Sequence, residues 1–232
     1  MNKNVCIILI FQIVLLSNVA AQRSITVLDT AWRFYNNDLK SLTLIQLDEA
    51  QWKSVTVPHD WAVVQPFDMN IDKQKVQVVE DGEKTVQLRT GRTGALPCFG
   101  IGWYRKVLPI ISSDKSSRIF IEFDGAMSRS KVYLNNKYVG EWPYGYTSFS
   151  FEITKFIDFD NENIITVRLE NKPESSRWYP GAGIYRNVRL IKTSSTHIVQ
   201  WGTYITTPSI TKKIGSVLIK TTVNNKYTTP KQ

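Results

Sequence analysis

The sequence predicts an all-β protein: an antiparallel, jelly-roll-like β-sandwich followed by part of a second sandwich. Three observations predict it. Period-two alternation of apolar and polar residues recurs along the 232-residue chain, helical periodicity is nearly absent, and turn-forming residues interrupt the pattern at short intervals. Strands are predicted first at Ile25–Val27, Ser54–Val57 and Trp103–Leu108. In Arg118–Asp124, Ile119, Ile121 and Phe123 point one way while Arg118, Phe120 and Glu122 point the other. Val132 and Leu134 alternate with Lys131 and Tyr133. Asn135-Asn136-Lys137 then tolerates positive φ and turns the chain into Tyr138–Gly140 as a hairpin. Thr147–Ile153 follows. In Ile164–Glu170, Ile165, Val167 and Leu169 alternate with Thr166, Arg168 and Glu170. The last strands are predicted at Ile184–Lys192, Ile198–Thr206 and Gly215–Val223.

Two regions break the rhythm. Pro66–Pro97 is polar and charged, holds Gly82, Gly91 and Gly94, and has no aromatic residue after Phe67. It reads as a long excursion at one end of the sandwich, where function concentrates. Ser194–Ser195 reads as a joint. It divides a first domain, residues 22–193, from residues 194–232, which hold only two convincing strands. A full immunoglobulin-like sandwich needs about seven strands, so 194–232 reads as the truncated start of one.

Residues 1–21 read as a signal peptide. Lys3 precedes an apolar run, Val5–Leu16, and small residues Val19 and Ala21 flank a cut before Gln22. A run of 12 residues is short for a bilayer span, although a permanent N-terminal anchor remains the competing reading. Cleavage would place the mature chain in the periplasm or outside the cell, with no stable membrane insertion. Of the two cysteines, Cys6 falls in the signal segment, so Cys98 is alone in the mature chain and no intramolecular disulfide can form. Net charge is +9, but lysines and arginines are scattered among acids with no run of four, which argues against a nucleic-acid partner. No His/Cys cluster with metal spacing and no phosphate-cradling glycine loop is present, so no metal and no cofactor is expected. Aromatic residues make up 12% of the chain, with seven tryptophans, which suits a large core and a sugar-facing surface equally well.

Five motifs then occur in order. These are Val57-Pro58-His59-Asp60-Trp61; Gly100-Ile101-Gly102-Trp103-Tyr104-Arg105-Lys106; and Phe123-Asp124-Gly125-Ala126 with Val132-Tyr133-Leu134-Asn135 and Val139-Gly140. Gly145-Tyr146-Thr147-Ser148-Phe149 and Arg177-Trp178-Tyr179-Pro180-Gly181-Ala182-Gly183-Ile184-Tyr185-Arg186-Asn187-Val188 complete the series. Over about residues 30–192 the chain resembles the galactose-binding-like, N-terminal sugar-binding domain of glycoside hydrolase family 2. The Pro66–Pro97 insertion is more similar to β-galactosidase-like members than to glucuronidases. The resemblance implies a β-galactoside-like carbohydrate partner, with Arg177 and Trp178 as the substrate-binding residues, on a loop that approaches the catalytic pocket. Chemically, Trp178 offers a flat face to the C–H groups of a sugar ring and Arg177 offers fixed donors to hydroxyls. A structural role for both is equally open. One branch of the family carries a carboxylate where Arg177 stands. A second family contact maps to Pro97, Cys98 and Phe99, which supply no amide.

The resemblance also places the two catalytic glutamates in a (β/α)₈ barrel after the immunoglobulin-like domain, and a barrel takes about 250 residues. No such stretch lies within this sequence, so no catalytic residue is assigned. The competing function is a free-standing periplasmic carbohydrate-binding protein. For the remaining candidates, structural roles are expected. Trp61 and Trp103 should pack in the core or between domains, and Arg105 and Arg186 should pair with strand neighbours. His59 should be a hydrogen-bonder, His197 solvated at the joint, and Asp60 and Asp124 should satisfy turn backbones. Cys98 should be an inert thiol.

Overall fold

The computed structural model describes residues 23–38, 51–77, 82–91, 93–173, 175–176 and 178–225. The expected signal segment and Arg177 lie outside these residues. The described chain forms two compact units, one of them Ile25–Lys192, the other holding the last two strands.

The first unit is a two-sheet antiparallel sandwich. One sheet has the order β1-β12-β7-β10, from Arg23–Val27, Val188–Thr193, Arg118–Phe123 and Phe149–Glu152. The other has the order β3-β2-β6-β11-β8-β9. Its strands are Lys53–Val55, Trp32–Tyr35, Gly100–Val107, Ile164–Asn171, Ser130–Leu134 and Lys137–Trp142. Neighbours in sheet order are mostly distant in sequence, so the sandwich closes through crossovers between the sheets rather than through simple hairpins.

Alternation produces the core. Ile119, Ile121 and Phe123 of β7 and Ile165, Val167 and Leu169 of β11 are fully buried, as their period-two pattern requires. Between the sheets they meet Trp32, Phe34, Tyr104, Val132, Leu134, Phe149, Val188 and Leu190. Register is set across the long central strands: Val167 faces Tyr104 on one side and Val132 on the other. Trp103, on the opposite face of β6 from Tyr104, anchors a smaller cluster with Trp52, Tyr35, Ile101 and Tyr133. Both Trp61 and Trp103 are therefore packing residues, as expected. Asn135 and Asn136 both take positive φ and turn β8 into β9.

Three features differ from the sequence reading. The Pro66–Pro97 excursion holds its own hairpin, β4 (Lys73–Val76) with β5 (Gln87–Thr90), whose exposed, polar strands carry no hydrophobic alternation to reveal them. β2 is a four-residue strand, absent from the sequence reading, that lies between β3 and β6. The strand expected from Ile184 begins only at Val188, because Ala182–Ile184 bonds elsewhere.

The second unit is an antiparallel ribbon of β13 (Thr196–Ile210) and β14 (Gly215–Asn225), with register shifts along its length. His197 is not solvated. It is 5% exposed, and its Nδ1 lies 2.9 Å from the Ser194 carbonyl oxygen, which can only accept, so Nδ1 carries the proton.

Candidate functional site

The segment from Trp178 to Ile184 is built into the sandwich by backbone bonds to two other loops. His59 N–H donates to Ile184 O and Trp61 N–H to Ala182 O, while Met127 and Gly183 bond each other in both directions. Gly183 has φ of 126°, a region open to glycine, and a Cβ there would stand 2.5 Å from the His59 carbonyl oxygen. The two glycines of the motif are thus required by geometry: Gly181, with φ of 80°, turns the chain, and Gly183 lets two loops close on it.

Side chains complete the frame. Asn171, at the end of β11, donates both Nδ2 hydrogens at 2.9 Å, one to Cys98 O and one to Gly181 O. It joins the two segments that the family resemblance singled out. Tyr179 O–H donates to Asp60 Oδ2 at 2.6 Å, and Ala62 N–H donates to Asp60 Oδ1 at 3.0 Å. Asp60 satisfies a turn backbone as expected, and in addition fixes the loop that carries Trp178. Burial, then the bond to Asp60, pushes the Tyr179 hydroxyl up, so it stays a donor. His59 Nδ1 and Tyr104 Oη share a 2.6 Å hydrogen bond. Burial lowers the His59 pKa against the opposing pull of Asp60, which keeps the ring neutral and structural.

Other expectations are corrected or refined. Asp124 does not satisfy the turn with its side chain; its carboxylate binds Arg189, which also reaches Glu122 at 3.3 Å. An Arg side chain on the adjacent strand competes better for the carboxylate than a turn amide does. Arg105 sits over the Trp52 ring, with 5.9 Å from Cζ to the centroid, and Arg186 over Tyr185 at 5.8 Å. Cys98 is fully buried, and burial pushes its thiol up to about 12, so it is unreactive. Among the described residues no three His, Cys, Asp or Glu side chains gather as a metal cluster.

Trp178 itself is 58% exposed. Its Nε1–H donates to Tyr146 Oη at 2.8 Å, and the rings lie 6.4 Å apart at 52°. Tyr144, also exposed, stands 5.5 Å from Tyr146 at 65°. Sequence reasoning took Gly145-Tyr146-Thr147-Ser148-Phe149 as a motif but gave Tyr146 no role and passed over Tyr144. The available signal was two tyrosines around a glycine in a turn, where neither has a strand face to bury.

Residues 25–194 match the sequence family described as "Glycosyl hydrolases family 2, sugar binding domain". The chain belongs to this family. The chain is 33% identical over 214 residues to the β-galactosidase BoGH2A of Bacteroides ovatus, which covers 92% of this chain and 23% of that protein. It is 29% identical over 217 residues to a β-glucuronidase of Formosa agariphila, covering 84% of this chain and 20% of the relative. A solved glycosyl hydrolase family 2 member from Bacteroides cellulosilyticus superposes with a TM-score of 0.69 at 31% identity, covering 86% of this chain and 24% of that one. The Bacteroides uniformis β-glucuronidase gives 0.69 at 26% identity, covering 89% and 23%. The chain thus spans about a quarter or less of the length of these relatives. In this family 2 sugar binding domain, Trp178 is the exposed ring of the last motif, and Asn171, Asp60 and Tyr179 fix the loop beneath it.

Proposed function

We propose that this chain is the carbohydrate-binding, N-terminal part of an exported glycoside hydrolase of the β-galactosidase type, and that alone it hydrolyses no glycoside. The observation that carries the reading is Trp178: an exposed indole, hydrogen-bonded through Nε1 and mounted on a braced loop, in a chain of the sugar binding domain family. Its face is free to stack on the C–H face of a sugar ring, and Arg177, next to it in sequence, supplies a guanidinium to the hydroxyls. Galactose is the proposed sugar. The similarity to a named β-galactosidase supports it, and glucuronate is the competitor that any test must include.

Among the described residues, four carboxylates of this domain are engaged structurally. Asp60 serves Tyr179 and Ala62, Asp124 and Glu122 serve Arg189, and Asp114 accepts from Lys192 Nζ at 2.5 Å and from Ile111 N–H at 2.9 Å. Retaining glycoside hydrolysis needs two carboxyl groups about 5–5.5 Å apart facing a shared substrate, one as acid/base and one as nucleophile. In this reading that pair belongs to a partner barrel, and the chain supplies one wall of the pocket.

The purified chain is therefore expected to leave chromogenic β-galactosides and β-glucuronides intact and to bind galactose with a dissociation constant of about 1 mM or weaker, roughly 4 kcal/mol. Calorimetric titration and a turnover assay check this. Turnover that tracks with the pure protein defeats the reading, and micromolar galactose binding abolished by Trp178→Ala would establish a free-standing lectin instead. Export makes a separate expectation. N-terminal sequencing of protein recovered from the periplasm or the medium should begin near Gln22, and a membrane-held chain that still begins at Met1 would show an anchor.

A further inference from the structure

We propose that Tyr144, Tyr146 and Trp178 form a twisted aromatic platform that takes successive rings of an oligosaccharide, so that this face holds a chain of sugars rather than one. The inference rests on the carbohydrate-binding reading above and extends it. The three side chains are 57%, 38% and 58% exposed and follow one another as ring neighbours. Large contiguous apolar surface that stays open to solvent marks a binding face.

The platform is held rigid from behind. Tyr185 O–H donates to Gly145 O at 2.7 Å, and Arg129 N–H donates to Pro143 O at 3.2 Å. Trp142 Nε1–H donates to Thr147 Oγ1 at 3.1 Å. A Cβ on Gly145 would lie 2.6 Å from Met127 Cε, so the chain between the two tyrosines already presses on the sandwich. The Trp178–Tyr146 hydrogen bond then links this loop to the last motif. Ring order is thereby fixed before any ligand arrives, which lowers the entropic cost of binding.

Chemistry and shape select the occupant. Each ring is partly open to solvent and carries a polar edge. Tyr146 Oη accepts from Trp178, so its own proton remains available for a sugar hydroxyl. Angles of 65° and 52° between neighbours mean that no flat sheet can lie on all three rings. A single soluble glycan whose rings turn relative to one another can do so, which excludes a crystalline polysaccharide surface.

The test titrates the chain with galactose, β-1,4-galactobiose, β-1,4-galactotetraose and cellotetraose, followed by calorimetry. One tetrasaccharide is expected to bind roughly tenfold tighter than galactose, the gain that added ring stacking supplies. Tyr144→Ala should remove that gain and Tyr144→Phe, which keeps the ring, should retain it. Equal affinity for galactose and both tetrasaccharides overturns the platform and leaves the carbohydrate reading standing. Absence of binding to every saccharide at about 10 mM likewise overturns the platform, and returns the three rings to a protein-facing contact.

Discussion

Gly183→Ala is expected to destabilise the first domain by about 4 kcal/mol, with about half from left-handed backbone strain and half from overpacking. The position combines two demands. Its φ of 126° is closed to a side chain, and a new Cβ would meet the His59 carbonyl oxygen at 2.5 Å with the Tyr104 hydroxyl alongside. Neither neighbour can yield. His59 N–H is bonded to Ile184 O, and Tyr104 is fully buried and bonded to His59 Nδ1. In a domain of this size the loss corresponds to a fall in melting temperature of roughly 8–16 °C. Gly215→Ala is the control: a Cβ there meets nothing, and the change should stay within about 0.5 kcal/mol. Thermal unfolding of the two variants beside the parent chain decides the matter. A Gly183→Ala protein that melts with the parent would mean that the three loops are not clamped at this point.

The second large effect is expected at Asn171. Asn171→Ala removes two buried donors and strands the carbonyls of Cys98 and Gly181, a loss of about 3 kcal/mol. The side chain is 1% exposed, so water cannot replace it without opening the structure. Asn171→Asp should be at least as harmful, because it keeps the volume but points acceptors at two acceptors. Urea unfolding measures the stability term, and limited proteolysis after Asn171 reports whether the loop that carries Trp178 has loosened. Full stability in Asn171→Ala, or a loop as resistant as in the parent chain, would show that Asn171 does not brace the site.

The fold was legible wherever one residue type had one job. Ile119, Ile121 and Phe123, or Ile165, Val167 and Leu169, alternate because one face of each strand meets the opposite sheet, and that requirement is written locally. The Asn135-Asn136 turn was legible for the same reason, since few other residues accept positive φ twice in succession. β4 and β5 were not legible: their side chains are mostly exposed on both faces, so pairing leaves no periodic trace. His197 was misjudged because burial depends on what folds over a residue, and its own neighbours in sequence do not carry that information.

The candidate site divides along the same line. Sequence alone determined the family resemblance, the glycines of the last motif and the choice of Trp178, because each rests on residue type and order along the chain. Only the tertiary structure decided that Tyr144 and Tyr146 stand beside Trp178, that Asn171 spans Cys98 and Gly181, and that Arg189 takes Asp124 from its turn. Those pairs lie 10 to 73 positions apart. The reason is physical: a hydrogen bond or ring contact across such a separation is set by how two sheets close on their core, and no local pattern of side chains encodes that closure.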